Sequence, residues 1–120
     1  MRRLGGEKES LNVVVDQIGS PTYAADLAKA IVHILPQMNE QNRGIYHFTN
    51  EGICSWYDFA TEIMDQSGLK CQVHPIPTSA YPTQAQRPFY SVLDKSKIKN
   101  TFNIKIQHWK KGLTKCLERS

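Results

Sequence analysis

Residues 11–28 read LNVVVDQIGSPTYAADLA, and a strand, a corner and a helix succeed one another within them. Leu11–Val15 is a β-branched run, the composition of a strand. Asp16–Pro21 is turn chemistry: Gly19 is free to take positive φ, and Pro21 fixes the exit. Thr22 can cap the adjoining helix with its hydroxyl. Leu27, Ala28, Ile31, Ile34 and Leu35 then recur at the spacing of one buried stripe, which predicts a helix over Tyr23–Leu35 that Pro36 ends. Such an order belongs to a small α/β or α+β layer of few short strands with packed helices.

Upstream, Met1–Ser10 is polar and aperiodic, with Gly5-Gly6, and predicts a loop continuing from a preceding region. Downstream, Gln37–Gly44 is a polar loop and Ile45–Phe48 predicts a second strand. Ser55 with an acid at Asp58 forms a capping box for a helix from Trp56 that buries Phe59, Ala60, Ile63 and Met64. Gly68 suits its C-terminal stop. Cys71–Ile76 predicts a third strand, at an edge because Pro75 has no N–H. Pro77–Pro88 is too rich in proline for either regular structure and reads as a shaped loop. A brief extended piece, Tyr90–Leu93, precedes a helix capped by Asp94. That helix buries Ile98 and Phe102 and closes at Asn103. A last helix from about Gln107 places Trp109, Leu113, Cys116 and Leu117 on one face.

The totals narrow the function class. With 120 residues the chain is one domain or part of a larger one, able to bury roughly two-thirds of its unfolded surface. The net charge of +4 raises nucleic acid as a partner. However, the lysines gathered in the last quarter (Lys95, Lys97, Lys99, Lys105, Lys110, Lys111, Lys115) are mixed with Asp94 and Glu118 and are not interleaved with aromatics. They read as a solvated face, with no nucleic-acid partner. Cys54, Cys71 and Cys116 form no disulfide framework or CxxC pair and read as small buried hydrophobes of a reducing compartment. No apolar run reaches the ~20 residues of a membrane span, and no signal-peptide core is present, so no membrane partner and a cytoplasmic location are expected.

Catalytic and metal motifs are missing. No trio of glycines has the spacing of a dinucleotide turn. Four residues after Tyr23, Tyr46, Tyr57, Tyr81 and Tyr90 stand Leu27, Asn50, Thr61, Ala85 and Asp94, so no lysine follows a tyrosine at the interval that lets it lower the phenol's pKa for proton transfer. The four histidines are scattered, without metal-ligand spacing; His33, near the end of its helix, fits a dipole contact. No residue is assigned a catalytic, cofactor or metal role. The signal lies in three polar joints: Asp16–Thr22 with Asp26, Asn50–Tyr57, and Arg87–Asp94. Arg87, between prolines, suits bidentate contact with a phosphate, because its fork is planar and permanently charged. It equally suits a carboxylate or carbonyl that fixes the loop.

Three ordered segments, VDQIGSPTYAADLA (Val15–Ala28), GIYHFTNEGICSWYDFA (Gly44–Ala60) and PIPTSAYPTQAQRPFYSVLD (Pro75–Asp94), closely resemble successive parts of the dTDP-4-dehydrorhamnose reductase family, within the extended short-chain dehydrogenases. The resemblance covers about residues 11–117. It implies a C-terminal substrate-binding domain over 11–120, with 1–10 as leader, and a Rossmann half outside this chain that carries NADPH or NADH and the Tyr/Lys pair. The complete enzyme would reduce the C4 ketone of its dTDP-sugar substrate to give dTDP-L-rhamnose; the chain alone would be inactive and prone to self-association. Some members also use magnesium, through acidic residues with no match here. Carried onto this sequence, the family places Arg87 on the sugar-nucleotide phosphates and Gln17 and Thr22 at the pocket. Tyr90 and Trp56 either pack or stack on thymine, and Asp26 acts within its own helix. A second reading stays open: a non-catalytic regulatory module of the same fold, such as the family's relative that regulates a methionine adenosyltransferase.

Overall fold

The β-branched run does form a strand, one residue earlier than predicted, and its partner is the strand that carries Pro75. In the computed structural model, which describes all 120 residues, the order is α1 (Arg2–Glu7), β1 (Ser10–Val14), β2 (Ile18–Gly19), α2 (Ala24–Ile34), β3 (Cys54–Ser55), α3 (Trp56–Ser67), β4 (Gln72–Ile76), α4 (Ser96–Phe102) and α5 (Trp109–Glu118). β1 and β4 run parallel, with Ser10 opposite Gln72 and Val14 opposite Ile76. β2 and β3 make a two-residue antiparallel pair. This is the α/β class the sequence predicts.

Local chemistry explains α3 well. The Ser55 hydroxyl accepts the Asp58 N–H (3.0 Å), while the Asp58 carboxylate accepts the Ser55 N–H (2.8 Å). The far end stops at Gly68, at φ 65°, where a side chain would be strained. Ala60, Ile63 and Met64 are buried between these ends. α5 lies against α3: Cys54, Ile63, Trp109 and Leu113 form the central cluster, with Phe59 and Leu117 packed on it. Lys110 Nζ reaches Glu62 Oε2 at 2.8 Å across the same interface. The His108 ring caps α5 by accepting the Lys110 N–H, and Asn103, at φ 51°, closes α4.

Several expectations are corrected. Residues 2–7 are helical, not a loop; Gly5 is buried there, and a Cβ on it would stand 2.4 Å from Met64 Sδ. A glycine that weakens a helix locally is offset by close packing on α3. Ile45–Phe48 forms no strand: the segment is held by side chains, Tyr46 packing on Phe102 at 5.1 Å and donating its hydroxyl to the Asn42 carbonyl (2.6 Å). Pro36 does end the α-helix, which stops at Ile34, and a short 3-10 turn, Leu35–Gln37, follows. Cys116 is exposed rather than buried, whereas Cys54 and Cys71 are buried. The basic tail is less solvated than predicted. Lys95 is buried beside Glu51, Lys99 pairs with the same carboxylate, and Lys97 sits over the Tyr46 ring.

The largest departure concerns α2. Its stripe is predicted to lie inside, yet Leu27, Ala28, Ile31 and Leu35 are exposed, and Val32 is 69% accessible; only Ala30 is fully buried. The molecule is also extended, with axes of 53 × 32 × 20 Å and a radius of gyration of 16.9 Å, against about 14 Å for a compact chain of this length. The periodicity is real, but the surface it fits is not supplied by these residues. No helix is long and apolar enough to cross a membrane.

Thr22 does not cap α2; its hydroxyl donates to the Ser20 carbonyl. The helix start is held instead by Asn50, which is wholly buried. Asn50 Oδ1 accepts the Tyr23 N–H (2.8 Å), and its Nδ2 donates to Asp26 Oδ2 (2.8 Å) and to the Gln107 carbonyl (3.1 Å). Asp26 thus acts between segments rather than within its own helix, since it also accepts from the Gln107 side chain. Replacing Asn50 by Ala orphans these groups, and we expect a loss of about 2–4 kcal/mol in urea unfolding. A loss below about 1 kcal/mol would show that water replaces the amide.

Candidate functional site

A cavity of about 340 Å³ opens where the three polar joints meet. The 17–21 corner forms one wall, and Cys54, Ser55, Trp56 and Phe59, at the start of α3, form another. Arg87, Pro88 and Ser91 close it from the proline-rich loop. The joints are tied through the backbone of Ile18: its N–H donates to the Phe89 carbonyl (2.8 Å), and its carbonyl accepts the Ser91 N–H (2.9 Å). The Ser20 hydroxyl donates to the Gly52 carbonyl (2.8 Å), fixing the corner to the α3 joint. Three remote segments therefore share one rim.

Of the residues singled out in the sequence, Gln17, Trp56 and Arg87 line this cavity. Thr22 and Tyr90 do not: Thr22 is turned to the Ser20 carbonyl, and Tyr90 contributes backbone to a bridge with Ile18 while its side chain is 64% exposed. Asn50, expected among the presented groups, lies beneath the site. Sequence reasoning missed Ser20, Ser55, Phe59 and Ser91 as lining. The serines stand inside recognised joints, but nothing in their spacing says that they face one space.

The polar inventory of the cavity is uneven. Ser20, Ser55 and Ser91 all donate their hydroxyls to protein acceptors. Arg87 makes no ion pair, and none of the chain's hydrogen bonds involves its side chain. Of the two readings of Arg87, the loop-fixing one finds no partner. It is also the one formally charged side chain on the lining. Trp56 stands half-exposed at the mouth, edge-on to Phe59, which meets Trp109 in the same way. The Cys54 thiol in the wall is pushed up to about 11, by burial first and then by the nearby Asp58 charge. It stays protonated at neutral pH and is a poor nucleophile. The arrangement offers a planar cation, an aromatic face and an amide, but no general base or activated nucleophile. It can bind an anion attached to a flat or polar group.

The loop that brings Arg87 round is anchored at its start by Asp16. Its Oδ1 accepts the Thr78 N–H (2.9 Å) and hydroxyl (2.6 Å), and Gln17 Nε2 donates to the same hydroxyl (3.2 Å). The Thr78 hydroxyl first, then its amide, holds the Asp16 carboxyl below its ordinary value of 3.8. A depressed folded value means that this anchor contributes fully above the unfolded carboxylate range and is lost as pH falls through the lowered value. We expect the Thr78 amide proton resonance to stay constant from pH 7 to about 5 and to move only in strong acid; a shift centred near pH 6 would contradict the assignment.

Residues 1–120 match the family model described as RmlD substrate binding domain. The spore coat polysaccharide biosynthesis protein SpsK of Bacillus subtilis is 43% identical, over 98% of this chain and 40% of that protein. The dTDP-4-dehydrorhamnose reductase of Aggregatibacter actinomycetemcomitans is 39% identical, over 94% of this chain and 42% of that protein. Among solved structures, the dTDP-4-dehydrorhamnose reductase of Bacillus anthracis in complex with NADP matches with TM-score 0.91 at 35% identity, over 99% of this chain and 41% of that one. The corresponding protein of Clostridium acetobutylicum matches with TM-score 0.91 at 37% identity, over 98% and 41%. The chain spans about two-fifths of the length of these relatives.

Proposed function

The chain belongs to the RmlD substrate binding domain family, and on that premise we propose that it grips a thymidine-diphosphate sugar for a dTDP-4-dehydrorhamnose reductase. The observation that carries this reading is Arg87: an unpaired guanidinium, alone in charge, on a cavity that also presents Trp56 and Gln17. A planar, permanently charged fork with no competing carboxylate beside it suits a diphosphate. Thymine and sugar each need a surface that is part aromatic and part polar. The same reading makes the chain a C-terminal domain in which Thr22 and Tyr90, absent from the cavity lining, take no direct part in the grip.

The reduction itself belongs to a portion of the protein outside these residues. The positive-φ glycines, Gly44, Gly52 and Gly68, stand on separate turns, and on this reading the NADPH or NADH belongs to that other portion. No cluster of three His, Cys, Asp or Glu side chains is placed to hold a metal ion, so magnesium is given no ligand here either. What these residues do is hold the substrate by its phosphates and keep it oriented while the other portion acts on C4. Such holding lowers the barrier by fixing the approach of the reacting carbon.

Two features support a covering portion. A two-stranded parallel sheet is rarely stable without further strands and layers, and the α2 face of Leu27, Ile31, Val32 and Leu35 lies open. Expressed alone, the chain should self-associate through this apolar surface at tens of micromolar; a strictly monomeric profile in sedimentation would count against a covered face.

In the complete reductase, Arg87→Ala should weaken binding of dTDP and of dTDP-rhamnose alike by roughly ten- to a hundredfold in calorimetry, as expected for a charge-assisted pair. Arg87→Lys should restore part of it, keeping the charge without the fork. Unchanged affinity in Arg87→Ala would remove the residue from the phosphate site.

A further inference from the structure

Behind Gln17 on the cavity wall, its side chain joins those of Thr78 and Asp16 in a hydrogen-bond series whose polarity can be worked out from one end. Asp16 is the terminus. As a carboxylate it has no proton to give, so both of its contacts with Thr78 must be donated by Thr78, from the N–H (2.9 Å to Oδ1, 3.1 Å to Oδ2) and from the hydroxyl (2.6 Å). A hydroxyl has one proton. With that proton committed to Asp16, the Thr78 oxygen can only accept from its next neighbour, Gln17, 3.2 Å away. The group facing Thr78 is therefore the Gln17 amide NH2, and the chemistry of the series alone fixes which way the amide points. The carbonyl oxygen is left as the free end. None of the chain's hydrogen bonds uses it, and Gln17 lines the cavity.

The free polar ends in this cavity thus have opposite characters. Arg87 can only donate. Ser20, Ser55 and Ser91 have given their protons to protein acceptors. Gln17 alone offers a side-chain amide carbonyl. We propose that Gln17 is a specificity-determining residue, held by Asp16 and Thr78 so that its carbonyl oxygen faces the ligand and selects a hydrogen-bond donor there, an O–H or N–H of the bound sugar nucleotide. This rests on the sugar-nucleotide reading above and deepens it. Asp16 and Thr78 are positioning residues: neither lines the cavity, and both act through the amide they orient. The selection works by penalty as much as by gain, because a ligand that places a carbonyl or phosphate oxygen opposite Gln17 meets a fixed acceptor that cannot turn round without breaking its bond to Thr78.

Thr78→Val separates this role from scaffolding. It removes the hydroxyl and keeps the backbone N–H that ties the loop to Asp16. In the complete protein, the Gln17 side-chain N–H donated to Thr78 should exchange slowly in the wild type and in Thr78→Ser, and several-fold faster in Thr78→Val; equal exchange in all three would overturn the series. In the complete reductase, calorimetry with dTDP and with dTDP-rhamnose reads the selection. Gln17→Met and Thr78→Val should each weaken one or both ligands by roughly tenfold. The double variant should be no weaker than Gln17→Met alone, since Thr78 acts only through the amide. Loss confined to dTDP-rhamnose assigns the donor to a sugar hydroxyl, and loss shared with dTDP assigns it to the nucleoside. Gln17→Met binding both ligands as the wild type does would refute the role of Gln17 while leaving the pocket assignment intact. A wild-type protein that binds neither ligand would end the sugar-nucleotide reading, and the selection with it.

Discussion

A single buried amide holds the architecture of this chain in register. Asn50 has no exposed surface, and its side chain joins the start of α2, the carboxylate of Asp26 and the backbone just ahead of α5. Its own carbonyl receives the buried Lys95 ammonium at 3.4 Å. No apolar residue could replace it, because each partner is a polar group already removed from water. Crowding enforces the same geometry: a Cβ on Gly112 would lie 3.1 Å from Tyr23 Cβ and 3.2 Å from Asp26 Oδ2. The 17–21 corner leads directly into α2, and the α3 joint comes within a few residues of Asn50. The amide therefore sets the spacing between two walls of the cavity without touching its contents.

Neighbouring charge is arranged around the same point. Burial raises the Glu51 carboxyl, but the Lys99 hydrogen bond and the Lys95 charge outweigh it and hold the group below its ordinary value. Two lysines that look like free surface charge in the sequence, one buried (Lys95) and one half-buried (Lys99), are thus counter-ions of Glu51. Part of the chain's net positive charge serves its own interior, which weakens any inference from it to a polyanionic partner.

Legibility tracks the range of the interactions. The α3 capping box, the Gly68 stop, the Asn103 closure and the burial of Ile98 and Phe102 are readable, because each is settled within one or two turns of chain. Ile45–Phe48 has strand composition but finds no neighbouring ladder, and α1 is hidden because Gly5 is explained only by Met64, far along the chain. The α2 stripe is apolar as its spacing says but not covered, since periodicity shows which face wants burial and not whether a partner is present. At the site, Arg87 can be named from residue type within its joint, whereas Gln17 and Trp56 are named through the family resemblance. Thr22 and Tyr90 have the same chemistry but sit where the backbone turns their side chains elsewhere. That Asp16 and Thr78, 62 residues apart, orient Gln17 is beyond any local signal.

The two tryptophans occupy different media. Trp109 is 4% accessible in the central cluster, while Trp56 is 55% accessible at the cavity mouth, and Phe59 stands between them. Indole emission shifts to the red as its surroundings become wet, so the protein carries two intrinsic fluorophores of separable colour. The blue one reports on the core and the red one on the rim, and a soluble quencher such as iodide would reach only the latter. Occupancy of the cavity and melting of the fold can therefore be followed in one cuvette, without an added label.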